Sequence, residues 1–301
     1  MHARVWLAIV AASLAWGTSG VATRAALNAG WPPIEMAAAR AILASILLYG
    51  LMVAHGRGRL TVERDRWVTG GVAAVLQLAV PYVLFTLAYQ HVSAGFIGLL
   101  VALVPLGTAT VAHYWLPDEP MHAAKLTGLL VAFAGVAFLL LSGDSGLEDA
   151  GNPLLAALLT LGAVASISLA GVYTKGRPDS YEPIELTWMQ FAIGSVFIVA
   201  TMLLSEGWPV GVSSWGWALM AYLTIVGSIT PFLLFYWILA RVSATRASLV
   251  GYLVPLISLT SGIVLLDERL QSGIVVGGVL IIAGVVLTNN AERKVLGVPA
   301  A

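Results

Sequence analysis

Apolar residues fall in runs of about 20, the length of helix that crosses a bilayer's hydrocarbon core. The first run, behind Arg4, is 5–27, and others occupy 34–54, 67–90, 94–116, 122–142, 153–173, 184–205, 215–239, 244–266 and 271–288. In lipid every backbone amide needs an internal partner, so each run predicts a membrane-crossing helix. The first is longer than a signal-peptide apolar region and no polar mature segment follows it, so it reads as a retained helix. The pattern predicts an all-α polytopic membrane protein of ten transmembrane helices.

The runs repeat. Val80-Pro81-Tyr82-Val83-Leu84-Phe85, Val92-Ser93-Ala94 and Val104-Pro105-Leu106 return as Thr230-Pro231-Phe232-Leu233-Leu234-Phe235, Val242-Ser243-Ala244 and Val254-Pro255-Leu256, an offset of 150 (231 − 81). Pro33-Ile34-Glu35 and Pro183-Ile184-Glu185 keep that offset, and Asp118-Glu119 and Asp267-Glu268 follow at 149 (267 − 118). A fixed offset along most of the chain marks a duplicated module, with a first repeat over 1–146 and a second over 147–301.

Charge adds orientation. The residues are 59% hydrophobic and 10% charged, with a mean hydropathy of +0.91, far from the roughly one-quarter charged composition of soluble domains. Net charge is zero and there is no cysteine, so nothing points to nucleic acid, a disulfide or thiolate chemistry. Lys and Arg gather in alternate connections: Arg4, Arg57, Arg59, Arg64, Arg66, Lys125, Lys175, Arg177, Arg241, Arg246, Arg293 and Lys294 on one side against Arg269 on the other. The positive-inside rule then puts both termini in the cytoplasm. Five spans per module is an odd number, so the second copy enters from the opposite face. Such inverted repeats are a device of secondary transporters; an inert duplicated scaffold or a channel is the competing reading.

Trp16-Gly17 in the first span, Arg40 in the second, Pro105 in the fourth, Glu119 and Glu268 after the fourth and ninth, and Gly128, Gly135, Gly277 and Gly284 resemble the EamA branch of the drug/metabolite transporter superfamily. The resemblance implies a ten-helix metabolite permease, usually an exporter, of the bacterial inner (plasma) membrane. Its cavity would be lined by helices one, three, four, six, eight and nine. Aromatic amino-acid exporters of that superfamily are the nearest analogy for the solute. Drug efflux, or flipping of a lipid-linked solute, is the alternative.

Polar groups inside spans are few and so informative. Arg40 has Gln190 as its repeat mate; it either pairs internally, with Glu35 a candidate, or meets a solute carboxylate. Gln77 and Tyr82 correspond to Gly227 and Phe232, and a solute is asymmetric, so polar groups without a mate are the better binding candidates. Trp16, Ser19, Ser166, Tyr173, Tyr236, Trp237 and Tyr252 add aromatic and hydroxyl groups on the implied lining helices. Pro81, Pro105, Pro231 and Pro255 each remove a backbone donor within a span; they read either as hinges or as static bends. Arg24 reads as snorkelling to the outer surface. The two Asp-Glu pairs read as caps of the helices that follow them, and Trp6, Trp31, Trp67, Trp115, Trp208, Trp215 and Trp217 as an interfacial belt.

Small residues recur every fourth position at 94, 98 and 102, at 244 and 248, at 124, 128 and 132, and at 273 and 277. In the fifth and tenth helices they predict close packing, within the chain or in a homodimer. No metalloprotease, nucleophile-elbow or phosphate-loop motif is present, so the reading is a non-enzyme without metal or cofactor. Its partners would be a small-molecule solute and the bilayer. No Asp, Glu or Lys lies near a span centre, which predicts a carrier with weak or no ion coupling, exporting its solute down that solute's own gradient.

Overall fold

The computed structural model describes residues 3–58, 63–116, 123–147, 151–177, 181–203, 211–247 and 250–295, and they are helical, with no strand among them. In chain order the rods are α1 (Ala3–Asn28), α2 (Pro33–Ala54), α3 (Arg64–Ala88) and α4 (Ala94–Trp115). They continue with α5 (Ala123–Ser142), α6 (Pro153–Lys175), α7 (Pro183–Met202) and α8 (Ser214–Leu239). α9 comprises Ala244–Ala247 and Val250–Leu266, and α10 is Ser272–Val295. Seven of these are long and apolar enough to cross a membrane, and shorter apolar helices cover 126–142, 253–266 and 272–284. Leu7, Ile46, Phe133, Val196 and Val279 are half or more exposed, an apolar exterior that fits lipid rather than water. The chain is a polytopic helical membrane protein.

The prolines act on the backbone in pairs, but not identically. In α3 the helix widens to a π turn at Ala74–Ala79, just before Pro81; in α8 it does so at Ile225–Ile229, before Pro231. Without its N–H, a proline leaves the carbonyl four residues back unpaired, and a π turn redistributes the ladder around that gap. The amides of Val80 and Thr230 accordingly reach back five residues, to Val75 and Ile225. The fourth and ninth helices differ: α4 breaks at Ala102-Leu103 and restarts with Pro105 in its first turn, whereas Pro255 lies inside Val250–Leu266.

α2 packs along α7, and α5 along α10. The second seam is made of backbone. A Cβ on Gly135 would lie 2.7 Å from the Ile281 amide nitrogen, and one on Gly277 3.0 Å from the Gly135 carbonyl. The small-residue faces of α5 and α10 are thus used against each other within the chain.

Bonds between connections define two faces. On the N-terminal face Arg57 pairs with Glu182 at 3.2 Å, and Arg66 with Glu185 at 2.7 Å. On the opposite, distal face the Ser93 amide donates to Ser145 (2.9 Å) and the Gly146 amide to Gln271 (2.7 Å). Trp31, expected in the belt, is instead buried there and donates to the Gly216 carbonyl at 3.0 Å. Trp208 and Asp118-Glu119 lie outside the described residues.

Candidate functional site

A cavity of about 150 Å³ lies between the two halves, walled by residues of α1, α2, α3, α4, α6, α8 and α9. An apolar cavity of about that volume holds benzene in another protein, so this one admits one small solute. Arg40, on α2, is the charged group of its lining. Its Nη2 donates to the Gly227 carbonyl at 2.5 Å and its Nε to Ser228 Oγ at 2.6 Å. The carbonyl is the one Pro231 leaves without its usual partner (231 − 4 = 227), so the guanidinium completes the backbone of the α8 π turn. Ser228 also accepts from the Tyr82 hydroxyl at 2.9 Å and donates to Leu223 at 2.8 Å. The guanidinium stands 4.5 Å from the Tyr82 ring centre, a cation–π arrangement. The internal pairing expected of Arg40 is therefore real, but its partners are α8 backbone and hydroxyl rather than Glu35.

Aromatic edges form the apolar wall. Trp16 meets Phe232 edge-on with ring centres 5.3 Å apart and Phe235 at 5.7 Å, and Phe232 rests on Phe191 at 5.4 Å. Ser19 lines the cavity beside Gly227, where the helices come so close that a Cβ on Gly227 would lie 2.9 Å from the Ser19 Cβ. Gln77 also lines it. That side chain is 4% exposed, and its Oε1 has no hydrogen-bond partner among the described residues.

Of the residues singled out from sequence, Trp16, Ser19, Arg40, Gln77, Pro81 and Tyr82 converge on this cavity. Others go elsewhere. Tyr173 stacks with Arg177, 3.9 Å from guanidinium carbon to ring centre, at the end of α6. Tyr236 is 1% exposed and donates to Gln190 Oε1, away from the cavity wall. Ser166 donates to the Leu76 carbonyl at 2.7 Å, filling a gap in the α3 π turn. The side chain of Tyr252 lies outside the described residues. Sequence reasoning passed over Thr23, Phe85, Tyr89 and Ser258, which line the distal end, and Ser228, which organises the centre. Ser228 did carry a signal, since it lies three residues before a helix-interior proline.

Two expectations at the distal end need correction. Arg24 does not snorkel: its Nη1 turns inward to the carbonyls of Tyr89 and, at 3.3 Å, Val92, closing the C-terminus of α3. Glu268 does not cap its own helix; its carboxylate accepts from the amides of Ala94 (2.7 Å) and Gly95 (3.2 Å), at the start of α4. Burial pushes its carboxyl above the usual range, against the lowering pull of those two amides and of Arg24. At the N-terminal face Tyr181 is also pushed up by burial, to about 12.

The sequence pattern of the EamA-like transporter family matches residues 4–141 and again 154–290. The chain belongs to the EamA-like transporter family. Its similarity to individual relatives is modest but extends over most of its length. It is 27% identical to the uncharacterized transporter YvbV of Bacillus subtilis (strain 168), over 92% of this chain and 89% of that protein. It is 27% identical to the uncharacterized inner membrane transporter YedA of Escherichia coli (strain K12), over 88% and 83%. Protein PecM of Dickeya dadantii (strain 3937) is 26% identical over 73% of this chain and 72% of its own. A crystal structure 19% identical in sequence superposes with a TM-score of 0.71, covering 98% of this chain and 99% of the other, and so shares the fold. The chain is thus a membrane transporter of the drug/metabolite superfamily.

Proposed function

We propose that this transporter exports small metabolites, amino acids foremost, by alternating access between two inverted five-helix repeats, 1–146 and 147–301, that together make ten spans. It would sit in the plasma membrane, the inner membrane of a bacterium, with both termini in the cytoplasm and the distal face outside. The observation carrying this reading is the cavity between the halves, with Arg40 the charged group of its lining, set among aromatic rings. A fixed positive charge in an apolar cavity favours a carboxylate and disfavours a cation, and Arg40 spends two of its five N–H groups on α8. Trp16, Phe232 and Phe235 offer an apolar solute body a wall of ring edges. Gln77 lines the cavity with an amide whose Oε1 is unpaired but buried, and a turn of that amide would present the acceptor to an amine. The two matches of the family pattern, one on either side of the connection between α5 and α6, support the duplication.

The test is counterflow in proteoliposomes against labelled amino acids, cationic drugs and nucleobases. Amino acids are expected to exchange fastest. Exchange of cationic drugs in preference to amino acids would overturn the solute class, and the absence of exchange by any solute would overturn the carrier.

A further inference from the structure

The turn between α3 and α4 ends one helix and starts another, and a charge from elsewhere in the chain holds each terminus. Arg24 of α1 donates to the carbonyls that close α3, and Glu268, between α9 and α10, accepts the first amides of α4. Each sign suits its helix dipole. The two side chains share a polar hollow on the distal face with Asn28, Asp267 and Arg269. Directly beneath lies the distal end of the cavity. There Ser258 donates to the Ala94 carbonyl at 2.7 Å, and the Tyr89 hydroxyl packs on Gly20.

We propose that Glu268, with Arg24, is the latch that shuts the cavity to the distal face, and that this face opens only when the Glu268 carboxyl group leaves the amides of Ala94 and Gly95. The proposal rests on the transport reading above, because it assigns the contact to one half of an alternating cycle. Glu268 belongs to the second repeat and the α3–α4 turn to the first, so parting the halves at this face separates these groups. The neighbouring bonds from Ser93 to Ser145 and from Gly146 to Gln271 are neutral, and Asp144, which accepts from the Gly273 amide at 2.7 Å, ties α10 to the end of α5 rather than covering the cavity. Glu268 instead holds two adjacent amides of the turn from one carboxyl group, and it is only 8% exposed. Water entering an opened turn would solvate both partners, so the contact is strong when dry and releasable when wet. The N-terminal face carries a related basic cap: Lys175 donates at 3.1 Å to the carbonyl of Leu239, the repeat mate of Tyr89 (239 − 89 = 150).

The test uses the full-length chain, which has no native cysteine. Thr86→Cys places a thiol reporter on the cavity wall of α3, and Thr108→Cys places one on α4 nearer the N-terminal face. Glu268→Gln keeps the shape, removes the charge and sets an NH2 donor against one of the two amides. Gly262→Ala disturbs the same carboxylate without altering charge, since a Cβ there would lie 2.9 Å from its carboxyl carbon. Each variant is expected to speed labelling of the α3 reporter by a membrane-impermeant maleimide from the distal side by about tenfold or more, the effect of 1.4 kcal/mol. Labelling of the α4 reporter from the other side should stay level or slow. Unchanged labelling of the α3 reporter in either folded variant overturns the latch, and so does equal acceleration of both reporters, which is general loosening. Where one variant does not fold, the other decides. Labelling needs no solute, so failure of the transport reading shows separately, as absent counterflow.

Discussion

α3 and α8 are repeat mates with the same backbone and different side chains. Each widens into a π turn just before a proline. Yet α3 brings Gln77, Tyr82 and Thr86 to the cavity, whereas the positions 150 residues later hold Gly227, Phe232 and Tyr236. The comparison separates two constraints. Both copies share a proline and a rearranged hydrogen-bond ladder, while the polar side chains facing the cavity stand in one copy. The glycine at 227 belongs to the same arrangement, because its missing side chain lets Arg40 reach the α8 carbonyl.

The largest effect expected from breaking this asymmetry is at Arg40. Arg40→Leu leaves the Gly227 carbonyl unsatisfied, at about 1–3 kcal/mol for a buried group, while Ser228 keeps Tyr82 and Leu223; counterflow should fall to background and the thermal unfolding midpoint should drop. Adding Gln190→Arg, which moves the charge to the mate position, should restore neither. Next comes Gly227→Ala. Its Cβ would lie 2.9 Å from Ser19 Cβ and 3.0 Å from Arg40 Nη2, an overpacking worth about 1–3 kcal/mol, seen as a lower midpoint and slower exchange.

Glu268 comes third. Burial raises its carboxyl above the ordinary value of 4.5, so the closed arrangement binds its proton more tightly than an opened, hydrated one does. Its contribution to closure is then complete below that ordinary value and declines as pH rises through the raised one. A protonated carboxyl can turn its single hydrogen aside and still accept from both amides, which the NH2 introduced by Glu268→Gln cannot do. The charged groups around it are Arg24, Asp267 and Arg269, with the Tyr89 hydroxyl nearby. Distal-side labelling of the Thr86→Cys reporter should therefore increase with pH above the ordinary carboxylate range, and Glu268→Gln should flatten the profile. The smallest effect sharpens the comparison from its symmetric side. Pro81→Ala and Pro231→Ala should each shift transport rate more than protein abundance, and by similar amounts, because the backbone feature is shared.

What the sequence made legible was governed by local covalent chemistry. Runs of apolar residues gave the helices, prolines marked where two of them widen, and small residues at every fourth position marked the α5–α10 seam. Gln77 and Tyr82 stood out because their repeat mates lack their polar groups. The partners of long polar side chains were not legible. Arg40 reaches across 188 positions to Ser228 and Glu268 across 174 to Ala94, whereas a sequence shows only the helix each residue belongs to. Glu268 followed by a helix looks like that helix's cap, and only the packing of the α3–α4 turn beneath it reveals another set of unpaired amides. Arg24 misled for the same reason, since a basic residue near a membrane surface ordinarily turns to water.

The glycine seam between α5 and α10 has one more consequence. Where two backbones touch, there is no layer of side chains to rearrange, and a slide of one helical turn would drive a neighbouring side chain into the other backbone. These two rods must therefore travel as a single keel, and any rocking belongs to the helices around the cavity. Made as separate pieces, the two family-matching segments would each carry an unfilled furrow of glycines shaped for the other, so mixing them should reassemble a pair that neither half forms with unrelated helices.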